Sequence, residues 1–235
     1  MKNLTTGCFL VLLLISLLSC GTSNATLRIS TNTAARSSVS SLQSSTQQDN
    51  HVSIESPFDD SAEDTGWDLN KIDTGRNADY LNELEKRIVL EVNKVRTNPS
   101  LYAEEHLVPR RKFFSGRLFK RPGEINLMTN EGINALNECI RALQSHPALN
   151  PLAPSKALSF AARDHVMDTG PKSILGHRGS DGSDIDRRIN RYGSWDRSIG
   201  ENISYGENDA KDIVIQLIVD DGVPSRGHRK NIMAG

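Results

Sequence analysis

The chain has few cysteines, few aromatic residues and almost no net charge. Its 235 residues include three cysteines and 5% aromatic residues, and the formal net charge is -1 at pH 7. A protein dedicated to nucleic acid usually carries a clear basic excess. The glycine-rich patterns that cradle phosphates are also missing. We therefore expect neither a nucleic-acid partner nor a nucleotide site.

The N-terminal apolar run is too short to cross a bilayer as a helix. Phe9–Leu18 follows Lys2 and leads into Ser19-Cys20, which is the pattern of a secretory signal. The end of this run resembles the lipobox of bacterial lipoproteins, in which cleavage precedes a cysteine that is then acylated. Residues 1–19 are therefore predicted to be a lipoprotein-type signal peptide, with a membrane anchor on Cys20. An ordinary signal peptide, cleaved nearby, is the alternative.

Loss of such a leader would leave little cysteine in the mature protein. Cys8 would be removed and Cys20 would carry lipid, so Cys139 would be the one thiol of the folded part. An intramolecular disulfide is then excluded. Cys139 lies on the apolar face of a predicted helix and is expected to be a small buried hydrophobic residue. The mature chain is expected at the bacterial outer surface or in the periplasm.

The composition divides the mature chain into two parts. Residues 20–75 are rich in Ser, Thr, Asn and Gln and are predicted to form a disordered tether, since they offer little apolar surface to bury. Residues 76–235 are predicted to be one domain, ordered from about Tyr80. Apolar residues at helical spacing predict four long helices, the last capped by Asp209, and two short helices capped by Asn98 and Ser183. Ile203–Tyr205 is the one convincing strand.

Four segments of this domain carry chemically distinctive residues: Glu91–Pro99, Gly176–Ser183, Ile199–Ile203 and Asp220–Met233. Their order and spacing resemble the CAP superfamily of SCP-like extracellular domains, which includes cysteine-rich secretory proteins, venom antigens and plant pathogenesis-related proteins. The resemblance is closest to the bacterial branch, which also lacks disulfides. It implies an α+β fold, an α-β-α sandwich with a central cleft.

The resemblance also implies a cleft lined by two histidines and two acidic residues. The histidines match His177 and His228, and the first acid matches Glu201 in the Gly-Glu-Asn pattern. Asp220 lies nearest to the second acid, which is normally a glutamate. Imidazoles and carboxylates suit Zn²⁺, so His177 and His228 are candidate metal ligands. The carboxylates could instead orient the rings by hydrogen bonds.

These residues leave three functions open. The first is a binding protein for a lipid, sterol, partner protein or divalent cation, without catalysis. The second is a metal-dependent hydrolase of the cell envelope, and the third is a non-functional remnant. Because no nucleophile, oxyanion hole or His-Glu-x-x-His pattern accompanies the histidines, we favour binding. A Ser180–His177 or Ser183–His177 nucleophile is a further alternative, and His165 is expected to pack in the core.

Two further features lie outside the family's usual pattern. Leu107–Pro122 interleaves six basic residues with three phenylalanines and holds no acid. It is interpreted either as a solvated insertion or as a patch that meets anionic lipid or polysaccharide. The chain also ends at Gly235, where family members usually continue with further strands of the sheet. We therefore expect these C-terminal strands to be missing, and a domain of low stability.

Overall fold

The computed structural model describes residues 10–16 and 66–235. The predicted lipidation site Cys20 and the tether up to residue 65 lie outside the described residues, as do both ends of the predicted signal peptide. Among the described helices, none has the length and apolar character needed to cross a membrane. Cys139 is a free thiol buried in the core, as the sequence predicts.

The described chain contains eight α-helices and five strands. In chain order they are β1 (Leu10–Ser16), α1 (Leu69–Ile72), α2 (Glu83–Thr97), α3 (Pro99–Tyr102), β2 (Phe114–Ser115), β3 (Leu118–Phe119), β4 (Leu127–Met128), α4 (Ile133–Ser145), α5 (Lys156–Thr169), α6 (Ile185–Ile189), β5 (Ile199–Tyr205), α7 (Ala210–Val219) and α8 (Gly227–Ile232). Short π and 3-10 turns follow α3, and a 3-10 turn follows α5. Helices predominate over a small amount of sheet, which confirms the predicted α+β class.

Polar side chains fix where several helices begin. Asn82 and Glu85 form a reciprocal capping box at the start of α2, which satisfies amide groups that would otherwise lack acceptors. Asn98 caps α3 and Asp209 caps α7, both as predicted. The prediction of a cap at Ser183 is wrong. Asp184 caps α6 instead, because its carboxylate accepts the Arg187 amide.

Helix α7 lies at the centre of the main core and contacts α2, α4, α8 and β5. Ile213, Val214 and Ile218 are fully buried along it. Branched residues of this kind favour strands on local grounds. They form a helix here because Asp209 caps its first turn and because their side chains are buried on several sides. Packing outweighs propensity in this segment.

The folded part starts earlier than the sequence predicts. Trp67 donates its indole N–H to the Lys94 carbonyl and stacks on His106. Ile72, at the end of α1, is 2% exposed. Residues 66–75, which lie within the predicted tether, therefore belong to the folded unit. One partly buried tryptophan and one buried isoleucine anchor this short stretch, and they are hard to recognise within its polar composition.

Strand β5 belongs to a two-stranded sheet. Its backbone pairs with β1 in antiparallel register, from Leu10 opposite Tyr205 to Ser16 opposite Ile199. The apolar run predicted as a signal peptide thus provides a strand partner in the full-length chain. Glu201, Asn202, Ile203 and Ser204 are all buried in β5.

The second sheet lies in the Leu107–Pro122 insertion and just beyond it. Strands β2, β3 and β4 form it in sequence order. Phe113, Phe114 and Phe119 are partly buried and pack on one another, so these rings are not free to enter a lipid surface. Arg110 and Arg121 both pair with Asp212 of α7. The insertion is therefore a folded structure that is attached to the core helix α7.

Asn93 joins three chain segments at the buried face of α2. Its amide N–H groups donate to the carbonyls of Ile72 and Leu152, and its carbonyl accepts the Leu152 amide at 2.7 Å. Arg96, one turn later, donates to the carbonyls of Asn150, Ile232 and Ala234. The Glu91–Pro99 segment thus bonds backbone groups from three other parts of the chain.

Replacing Asn93 by Leu should destabilise the fold. The change leaves the Leu152 amide without its acceptor, and a buried group left unpaired costs about 1–3 kcal/mol. Urea unfolding followed by circular dichroism measures the difference. Asn77→Leu, at an exposed asparagine, serves as the control and should change stability by less than about 0.5 kcal/mol. Equal stability of the two variants would contradict the role assigned to Asn93.

Removing residues 1–19 should expose the β5 backbone. Amides of Ile199–Tyr205 that donate to β1 in the full-length chain should then exchange with deuterium faster, because an unpaired edge strand is open to water. Amides within α7 should keep their protection and provide the internal control. Hydrogen exchange with mass spectrometry compares the two chains. Unchanged exchange in β5 would show that the β1 pairing does not protect this strand.

Candidate functional site

The first predicted histidine lies against a buried carboxylate. His177 Nδ1 is 2.7 Å from Glu201 Oε1. The imidazole is 58% exposed, whereas the Glu201 side chain is 3% exposed. Because an ionised carboxylate only accepts hydrogen bonds, Nδ1 carries the proton. In the neutral ring the lone pair is then on Nε2.

Arg188 is the second partner of the Glu201 carboxylate. Its guanidinium pairs with the other oxygen of Glu201 and is 2% exposed. It also donates to the backbone carbonyls of His177 and Ser183 at 3.1 Å. One arginine therefore compensates the charge of Glu201 and fixes the loop that carries His177. Burying either charge without the other would be unfavourable.

The second predicted histidine has the same kind of partner. His228 Nδ1 is 2.6 Å from Asp220 Oδ1, and the His228 amide donates to Asp220 Oδ2. The Asp220 side chain is 1% exposed and the imidazole 25%. Asp220 ends α7 in the left-handed region at φ 58°, a conformation that aspartate tolerates better than most residues. This turn brings the shorter acid within reach of the ring.

Two arginines support the loop between Asp220 and His228. Arg226 forms a two-pronged ion pair with Glu131 and also bonds Glu138. Arg229 pairs with Glu138 as well. The Arg226 guanidinium lowers the pKa of Glu131 to about 2. The Gly-His-Arg segment is thereby tied, on both sides of His228, to Glu138 within α4 and to Glu131 just before it.

Strand β5 connects the two histidine–carboxylate pairs. Successive side chains of a strand point to opposite faces, so Glu201 faces Arg188 while Asn202 faces α8. Asn202 donates to the His228 carbonyl and accepts from Asn231. A Cβ at Gly200 would lie 3.1 Å from the Asn231 side chain. Glycine at this position permits the close approach of α8.

The described donors do not make a zinc site with three or four protein ligands. Both carboxylates are occupied by ring N–H groups, and Glu201 also by Arg188. The described residues contain no group of three or more His, Cys, Asp or Glu arranged to hold a metal. His177 and His228 would together offer a metal ion two ligand atoms, their Nε2 nitrogens. A structural zinc ion uses four ligands. Their carboxylates are placed as orienting partners.

Other residues singled out by the sequence lie elsewhere. The Ser180 hydroxyl bonds Asp168 and Lys172, so it is not held against His177 as a nucleophile. His165 is fully buried, and its Nε2 bonds the Gly176 carbonyl at 2.9 Å. Tyr192 and Trp195 are 42% and 38% exposed. They bond Asp164 and Asp186 at the surface.

Arg188 is the site residue that the sequence reasoning missed. It lies between Ile185 and Ile189 on α6, on the same helical face as both. A charged residue on an apolar face must find a buried partner of opposite charge. The position of Arg188 on an apolar helix face could therefore have predicted a buried ion pair, with Glu201 as its partner.

Glu201→Gln should destabilise the protein by about 3–5 kcal/mol, because it leaves the Arg188 charge buried without compensation. In the double variant with Arg188→Met, the loss should be smaller than the sum of the single losses. Urea unfolding measures all three. The exposed pair Asp164 and Arg191, changed to Asn and Met, provides the matched control, with a coupling below about 1 kcal/mol. Additive losses at Glu201 and Arg188 would exclude a coupled pair.

Comparison with known proteins gives one family match. The model of the family described as CAP: Cysteine-rich secretory protein family matches residues 91–235. Neither the curated proteins nor the solved structures gave a significant match. The matched range contains all four predicted site residues and covers more than half of the chain. The chain therefore belongs to the CAP cysteine-rich secretory protein family.

Proposed function

We propose that this is a secreted, lipid-anchored CAP-domain protein that binds a ligand through His177 and His228 without catalysing a reaction. The observation that carries the proposal is the pairing of each partly exposed imidazole with a buried carboxylate. Members of this family are generally extracellular, which agrees with the signal peptide predicted for residues 1–19. The anchor on Cys20 is part of the proposal and rests on the sequence pattern alone.

The arrangement favours binding because each ring has one defined function. The carboxylate takes the Nδ1 proton and fixes the orientation of the ring, so the exposed Nε2 presents a lone pair toward solvent. A hydroxyl or ammonium group of a ligand can donate to that atom. Sterols and other polar lipids carry such hydroxyl groups, and a divalent cation can also accept the lone pair. No described serine or cysteine is held against either ring, which is what nucleophilic catalysis would require.

The test is binding of two probes, a fluorescent sterol and Zn²⁺, to the parent protein and to a His177→Ala, His228→Ala double variant. Losing two hydrogen bonds of about 1 kcal/mol each should weaken binding of the preferred probe roughly thirtyfold. Fluorescence titration follows the sterol, and isothermal titration calorimetry follows the metal ion.

His146→Ala is the matched control. His146 is solvent-accessible, and its Nδ1 bonds the carbonyl of the next residue rather than a carboxylate. It should leave binding of either probe unchanged. Binding that is lost equally in the control and the double variant would reject these two rings as the site. A folded parent that binds neither probe would contradict the proposal for both ligand classes.

A further inference from the structure

Strand β4 and the turn before it hold three of the eight large hydrophobic residues that are exposed in the described chain. Ile125 is 93% exposed, Leu127 55% and Met128 65%. Leu127 and Met128 form β4, opposite Phe119 and Leu118 of β3. Single exposed apolar residues are ordinary, but three within four positions concentrate exposed apolar side chains at the β4 edge of this small sheet.

Two free lysines lie at the same end of this small sheet. The Lys120 amide donates to the Phe113 carbonyl at 2.8 Å, which places Lys120 beside Lys112–Phe113. Lys112 lies over the Phe113 ring. In the part of the chain that the structure describes, neither lysine forms an ion pair. Lys112, Lys120, Ile125, Leu127 and Met128 are here called the basic-apolar patch.

The charges around this patch have one dominant sign. Residues 110–128 contain six basic residues and one acid, Glu124. Glu124 pairs with Arg121, and Arg121 and Arg110 pair with Asp212. The remaining basic groups are therefore uncompensated, in a protein whose net charge is -1. A partner must be negatively charged and must accept apolar side chains.

We propose that the basic-apolar patch docks onto the surface of an anionic lipid bilayer. Exposed apolar side chains on an edge strand and the turn before it can enter the boundary between headgroups and acyl chains. Lysines bury their apolar stems and keep their charges at headgroup depth, where anionic lipid attracts them. The three phenylalanines contribute indirectly, because their mutual packing supports the sheet that presents the patch. The proposal is independent of any ligand of His177 and His228.

Co-sedimentation with vesicles tests the proposal. The full-length protein with Cys20→Ser, which cannot be acylated at that position, is mixed with phosphatidylcholine vesicles or with mixed phosphatidylcholine–phosphatidylserine vesicles. Binding should require phosphatidylserine and weaken as salt is added. Ile125→Ser, Leu127→Ser and Met128→Ser together, or Lys112→Glu with Lys120→Glu, should each lower the partition coefficient at least about tenfold.

Matched controls separate the patch from general surface properties. Met167→Ser with Leu175→Ser removes two other exposed apolar residues, at 72% and 69% exposure. Lys71→Glu with Lys230→Glu makes the same charge change at other exposed positions. Both controls should bind as the parent does, and circular dichroism checks that all variants are folded. Binding that depends equally on control and patch residues, or that survives the serine variant, would overturn the proposal.

Discussion

The buried carboxylate of Glu201 is the constraint on which the rest of the site depends. A charge in a medium of low dielectric constant requires compensation, and here Arg188 and the ring of His177 provide it from two directions. Arg188 in turn holds the carbonyls of His177 and Ser183. The loop before α6, the start of α6 and strand β5 are therefore fixed by one ion pair. Its geometry leaves Nε2 of His177 as the atom that faces solvent.

The sequence predicted the helices well because their signals are local. Apolar residues at helical spacing and the caps Asn98 and Asp209 are visible without knowledge of the fold. The strands β2, β3 and β4 were missed because two residues are too few to show alternation. The pairing of β1 with β5 joins segments nearly two hundred residues apart, and no local pattern announces such a contact. The anchoring of Trp67 and Ile72 is non-local for the same reason.

The candidate site was predictable to the extent that family motifs identify residues, but not their partners. The family resemblance identified His177, Glu201 and His228 by their local patterns, and Asp220 as the residue nearest to the family's second acid. Which acid bonds which ring depends on the left-handed turn at Asp220 and on the direction of the Glu201 side chain. Arg188 has no motif of its own. Its role follows only when α6 and β5 are brought together by the packing of Ile189 and Ile199.

Residues of the four motifs differ in whether their polar groups bond within the protein or face solvent. Asn93 and Arg96 bond backbone groups, and Arg226 and Arg229 both bond Glu138 of α4. The hydrogen bonds of these four side chains are made to groups of the protein itself. The imidazoles differ because one ring nitrogen faces inward and the other does not. A motif residue can therefore serve the fold and a ligand together only if it has two separate polar atoms, and histidine meets that condition at both positions.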